Sequence, residues 1–287
     1  MRLSSIFLVA FGVSLLSYPA MKLPVGEPYF AKDDTKQAEP IPKPTSPKTE
    51  FAQLNLGETG PPVQAEKDYR IVINIPATKL TLFENAVSVL EFPIAVGQLA
   101  YKTPVMRDEL KELIWNPWWY PPDSPWAKND KITPPGPRNP LGPVKMPLSD
   151  GVRIHGTSKP WSIGQAASHA CIRMHSNNAE TLAWFIQTHL TDKNDPSYLE
   201  KYKKNGSTSF HVKLDRPVTV DIIYKSVAFI DDAIILYPDL YGKTKDVKDL
   251  AMWEMFTNGV DPWQFDLSDI KKPSKKAEEI SILKLIR

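Results

Sequence analysis

The sequence predicts a mainly β fold with flanking helices, on three observations. Between residues 70 and 96, three runs of alternating β-branched residues follow one another across short turns. Apolar residues recur at spacings of three and four after residue 176, and strand-like runs resume at residue 217. A chain of 287 residues, 42% hydrophobic and 24% charged, holds enough apolar material for one compact domain plus attachments.

Taken from the start, Arg2 supplies a short positive region and Leu3 to Leu16 an apolar run of the length of a signal-peptide core. Ala20 could end a cleaved signal. Tyr18 is larger than a signal peptidase normally accepts, so a cleaved signal and an uncleaved inner-membrane anchor over residues 1–23 both stay open. No cysteine follows the run, which argues against a lipoprotein anchor. Either way the rest of the chain is expected to be exported, to the periplasm or cell envelope. Residues 24–68 read as a disordered linker, because Pro40, Pro42, Pro44 and Pro47 are spaced too closely for helix or sheet.

The folded domain is expected over residues 69–242. Its first strands are Arg70–Ile75, Lys79–Glu84 and Val87–Val96, antiparallel, with Gly97 closing the third. The next clear strand is Gly151–Ile154, immediately before His155. The stretch between reads as one long irregular loop in which Trp115, Trp118, Trp119 and Trp126 alternate with prolines; loops of this length are lids, binding loops or covers for the core. Trp118 and Trp119 are its candidates for substrate contact.

Beyond residue 175 the pattern is helical: Ser176 or Asn177 can cap, and Ala179, Leu182, Ala183, Ile186 and Leu190 share one face. Asp195 and Pro196 open a short helix ending at Gly206, in a lysine-rich segment that reads as a solvated face. Strands return at Pro217–Tyr224 and Ala228–Tyr237, with Asp231 and Asp232 as the turn between two halves of the latter. Residues 243–287 read as a helical extension whose helix, Lys243–Asn258, stops at Gly259, and no second domain with its own core is expected.

The net charge of +2 gives no reason to expect a nucleic-acid partner. A single cysteine, Cys171, excludes an internal disulfide. A free cysteine is ordinarily a small buried hydrophobe. Here it sits in Ile154–Met174, which also holds His155 at a strand end, two glycines and the pair Ser168-His169. A cysteine nucleophile needs a neighbouring base or cation, since only a few per cent is thiolate near neutral pH at a free pKa of about 8.5. His169 shares a face with Cys171 if the segment is extended. His155 is the better base, because its strand can run beside the Cys171 segment after a crossover through the Pro160 and Gly164 turns. The peptide N–H of Cys171, with those of Ala170 and His169, could form an oxyanion pocket. The competing zinc reading of His169, Cys171 and His175 lacks a second cysteine and a fourth ligand, so neither metal nor cofactor is expected.

These residues resemble a known family, the L,D-transpeptidases with a YkuD-like catalytic domain. The signature is His155-Gly156-Thr157, followed by Ser168-His169-Ala170-Cys171-Ile172-Arg173-Met174. The likeness extends upstream through Asn139-Pro140-Leu141-Gly142 and the Trp/Pro-rich loop, and downstream to Tyr237-Pro238-Asp239. The resemblance implies a β-sandwich-like domain and a reaction on peptidoglycan stem peptides. Cys171 would attack the carbonyl of meso-diaminopimelate in a tetrapeptide, expel D-alanine, and pass the acyl group to an amine of a neighbouring stem or of an anchored wall protein. It implies His155 as base, the Gly156 carbonyl as its orienter, and Ser168 and His169 as pocket residues. Arg173 would either bind a substrate carboxylate or brace the nucleophile loop. A hydrolase acting on the same stems and a non-catalytic wall-binding protein are the alternatives. One departure stands out: Ala170 occupies a position where the family usually has glycine, and would be strained if the geometry requires a positive φ. No separate peptidoglycan-binding module is apparent.

Overall fold

The computed structural model describes residues 66–284 apart from Asp269 and Glu278. The signal or anchor over 1–23 and the linker up to residue 65 lie outside the described residues.

Three strands follow the alternating runs closely: β1 (Tyr69–Asn74), β2 (Lys79–Glu84) and β3 (Val87–Gly97). Burial in β1 alternates residue by residue, as a strand with one face on the core should. β1 pairs antiparallel with β2, and β2 with β3. The sheet grows through β4 (Met106–Trp115), β5 (Val144–Pro147), β6 (Arg153–His155), β7 (Ala166–Ser168), β8 (Ile172–Met174) and β9 (Phe210–Ile223). Its order is β2-β1-β9-β4-β5-β6-β8-β3-β7, and the further β2–β3 pairing folds it back on itself. β3 makes the corner of this sandwich-like fold: residues up to Pro93 pair with β2, whereas Ile94 and Ala95 pair with β8 and Val96 and Gly97 with β7.

Two strands, β4 and β5, lie in the stretch that the sequence presents as loop. In β4, Arg107, Glu109 and Lys111 alternate with more buried neighbours, so its composition suits a helix as well as a strand. Pairing with β9 on one side and β5 on the other settles the choice. β9 also begins earlier than expected, at Phe210. The register against β4 jumps from Leu110–Val218 to Glu112–Lys213, so Pro217 falls in an irregular stretch where its missing N–H is tolerated.

Helix α1 (Ser176–Leu190) packs Ala179, Leu182, Ala183 and Ile186 into the core. Its N-cap position is His175, with no side-chain cap; Ser176 instead donates its hydroxyl to the Thr157 carbonyl at 3.2 Å. Helix α2 (Pro196–Lys204) is capped by Asp195 as the sequence suggests. Strands β10 (Val227–Ile230) and β11 (Ala233–Leu236) form a hairpin whose turn residues Asp231 and Asp232 have φ of 49° and 58°, the conformation of a two-residue turn. Helix α3 (Val247–Thr257) follows, and the extension is not helical throughout: β12 (Ser281–Lys284) pairs with β11. Val227, Ile234, Ala251 and Met255 form a small second apolar cluster there. Among the described residues no helix is long and apolar enough to cross a membrane.

Candidate active site

β6 and β8 run side by side in parallel, pairing Ile154 with Ile172 and His155 with Arg173. Ile154 and Ile172 are fully buried. Alternation therefore puts His155, Arg173, Arg153 and Cys171 on the opposite face of this strand pair. The parallel pairing needs a crossover, and residues 156–171 supply it through a 3-10 turn at Pro160–Ser162, Gly164 at φ 86° and strand β7.

His155 is only 4% exposed. Its Nδ1 lies 2.5 Å from the carbonyl oxygen of Gly156. A carbonyl can only accept, so Nδ1 carries the hydrogen and Nε2 keeps its lone pair. Burial drives the imidazole pKa down to about 3; the Gly156 hydrogen bond opposes this, while Arg173, Arg153 and Lys145 add to it. The resting ring is thus neutral. The Gly156 carbonyl is held by a close backbone approach: a Cβ on Gly142, whose φ is +65°, would sit 2.8 Å from the Gly156 Cα.

The Cys171 sulfur is partly buried. Its polar contacts among the described residues are the Gly151 carbonyl at 3.8 Å and Arg153 Nη1 at 3.9 Å. It shares a face with His155 but makes no direct hydrogen bond to it. Arg153, a positive charge in contact with the sulfur, is a residue that sequence reasoning missed; the signal was available, because it precedes His155 by two positions on the same strand.

The backbone around the sulfur is held on both sides. Ala170 adopts φ 71°, the left-handed conformation that glycine takes without cost, so the departure from the family pattern does place an alanine under strain. Its N–H donates to the Tyr101 carbonyl at 3.0 Å and its carbonyl accepts from the Thr103 hydroxyl at 2.9 Å. Ser168 is fully buried and donates its hydroxyl to the Cys171 carbonyl at 2.5 Å. Arg173 donates through Nη1 to the Ala167 carbonyl at 3.1 Å, a bond that braces the same loop.

His169 lies between two rings: Trp126 stacks on it at 4.0 Å with 11° between planes, and Tyr101 packs at 4.8 Å. Partial burial, then Arg173 and Lys159, hold its pKa below the ordinary histidine range. Trp126 is therefore the loop tryptophan that reaches the turn leading into Cys171. Trp118 is exposed and stacks with Tyr120, Trp119 forms a β-bridge with Thr133, and Trp115 belongs to the core, donating to Gln187 at 2.8 Å. Among the described residues no three His, Cys, Asp or Glu side chains converge as metal ligands; His175, the third member of the zinc reading, sits at the N-cap position of α1 without a side-chain cap.

Residues 68–220 match the family model described as the L,D-transpeptidase catalytic domain, YkuD. The chain is similar to YkuD of Bacillus licheniformis, 35% identical over 41% of this chain and 60% of that one, and to YcfS of Escherichia coli, 32% identical over 39% of each; both are named as L,D-transpeptidases. The chain thus spans less than two thirds of the length of these relatives. Among solved structures, L,D-transpeptidase 3 from Mycobacterium tuberculosis aligns at 15% identity and a TM-score of 0.36, over 55% of this chain and 61% of that one. With the catalytic-domain model matching more than half of its residues, including both His155 and Cys171, the chain belongs to the L,D-transpeptidase (YkuD) family.

Proposed function

We propose that the protein is a cysteine acyltransferase acting on peptidoglycan stem tetrapeptides. The observation that carries this reading is a partly exposed sulfur on the same strand face as a buried, neutral imidazole whose Nδ1 is engaged and whose Nε2 is free. Cys171 Sγ turns from the Gly151 carbonyl toward His155 Nε2, gives up its proton there, and attacks the diaminopimelate carbonyl. An imidazolium among Arg153, Arg173 and Lys145 is unfavourable, so it persists only while negative charge develops beside it. The proton then passes to the departing D-alanine amine as the carbon–nitrogen bond breaks, leaving a thioester. An amine, from a neighbouring stem or a protein lysine, attacks the thioester and regenerates the thiol. The apolar run Leu3–Leu16 supports an exported location, where such stems are found.

The test is release of D-alanine from tetrapeptide muropeptides. Wild-type protein should release it and Cys171→Ala should not; equal release by both would sink the proposal. Mass analysis of products separates transfer, which gives dimers, from hydrolysis, which gives tripeptides alone.

A further inference from the structure

Thr103 is 1% exposed and follows β3 in the tight turn over residues 98–105. Its hydroxyl oxygen accepts from the Gly97 N–H at 2.8 Å and donates to the Ala170 carbonyl at 2.9 Å, using both capacities of the group. In a trans peptide the C=O and the following N–H point in opposite directions. Anchoring the Ala170 oxygen on the Thr103 side therefore turns the Cys171 N–H the other way. That N–H has no hydrogen-bond acceptor among the described residues.

Thr103 is itself held. Its N–H donates to the Tyr241 hydroxyl at 3.1 Å, and that hydroxyl donates to the Gly97 carbonyl at 2.7 Å. The Tyr241 N–H donates to the Tyr224 hydroxyl at 2.8 Å, which in turn donates to Asp239 at 2.6 Å. The turn leaves no room for a side chain at Gly97, where a Cβ would lie 2.1 Å from the Tyr101 carbonyl oxygen. Tyr241 lies beyond residue 220, where the family match ends.

We infer that Thr103, backed by Tyr241, is a positioning residue that fixes the Ala170–Cys171 peptide plane so that the Cys171 N–H is aimed at the developing oxyanion. The inference rests on the acyl-transfer reading above. It also accounts for alanine at position 170: the Thr103 hydroxyl holds a backbone conformation that alanine disfavours.

Two probes separate positioning from general damage. Acyl transfer develops an oxyanion, whereas alkylation of the sulfur by iodoacetamide does not and requires only an accessible thiolate. With the full chain, Thr103→Val should lower D-alanine release about 10- to 100-fold, mainly in kcat, while iodoacetamide labelling of Cys171 stays within about threefold of wild type. Thr103→Ser, which restores the hydroxyl, should recover most of the turnover. Tyr241→Phe, one step removed, should show the same divergence at about 3- to 10-fold, and carries the test if Thr103→Val fails to fold. Release by Thr103→Val within twofold of wild type, parallel loss of release and labelling, or no rescue by serine overturns this inference alone. Absence of thiol-dependent release in the wild type overturns the acyl-transfer reading and this inference with it.

Discussion

Two irregular segments meet at the site, and they are held in different ways. The turn at Cys171 is fixed by bonds from three places in the sequence: Thr103 to the Ala170 carbonyl, Ser168 to the Cys171 carbonyl, and Arg173 to the Ala167 carbonyl. The Trp/Pro-rich loop over residues 116–143 is held by the backbone pairing of Trp119 with Thr133 and by two asparagines, Asn116 at its start and Asn139 near its end. Asn139, 1% exposed, donates through Nδ2 to the carbonyls of Pro117, Thr133 and Pro134 and accepts from the Leu141 N–H. The two segments touch where Trp126 stacks on His169. In the first segment separate side chains each fix one carbonyl, so losing one frees a single peptide plane, whereas in the second one side chain serves several carbonyls and its loss loosens them together.

Removing chemistry should matter more than removing any support. Cys171→Ala should cut D-alanine release at least about 10³-fold, and His155→Gln about 10²- to 10⁴-fold, with little change in urea-induced unfolding. A chain in which the support variants fell as far as these would show that positioning and chemistry cannot be told apart here.

The contrast between the segments is tested next by stability. Asn139→Ala removes the donor to the buried Pro117 carbonyl and the acceptor of the buried Leu141 N–H and should cost about 3 kcal/mol in urea titrations, with loop amides gaining hydrogen exchange. Ser168→Ala orphans one carbonyl and should cost about 1 to 2 kcal/mol. Equal costs, or a larger one at Ser168, would break the comparison.

Acid should act on the Cys171 side. His155 stays neutral in the fold down to a pKa of about 3, whereas an unfolded chain takes up the proton near pH 6.5. Its contribution to stability is complete above about pH 6.5 and is lost as pH falls toward about 3, at up to about 1.4 kcal/mol per pH unit. His155→Gln should flatten that part of the stability profile; an unchanged slope would mean that another group is responsible.

The smallest expected change is a gain. Ala170→Gly relieves the positive φ and should add about 1 kcal/mol, read as a rise of a few degrees in Tm. No gain would mean that the bonds from Tyr101 and Thr103 already make the alanine conformation free of cost.

Much of the site could be read without coordinates, because its spacing is local. The risk of positive φ at Ala170 comes from the family resemblance, whereas His155 at a strand end and the crossover through Gly164 follow from short-range pattern. So do β1, β2, the buried face of α1 and the Asp231-Asp232 turn. What escaped depends on distant partners. β4 carries charges on its outer face and becomes a strand only between β9 and β5. Thr103 contacts Ala170 across 67 positions, and no local pattern announces that. Among four tryptophans in a proline-rich stretch, composition gave no reason to prefer Trp126 to Trp118 or Trp119; only the path of the loop decides which ring reaches His169.

The placement of Tyr241 bears on where an autonomous catalytic unit ends. A fragment stopping at residue 220 would contain the sulfur, the imidazole and the whole matched region, yet the Gly97 carbonyl and the Thr103 amide would face no phenol. The smallest piece that keeps the original hydrogen bonding extends at least to Thr244, whose N–H, with that of Lys243, secures the Asp239 carboxylate behind the two tyrosines.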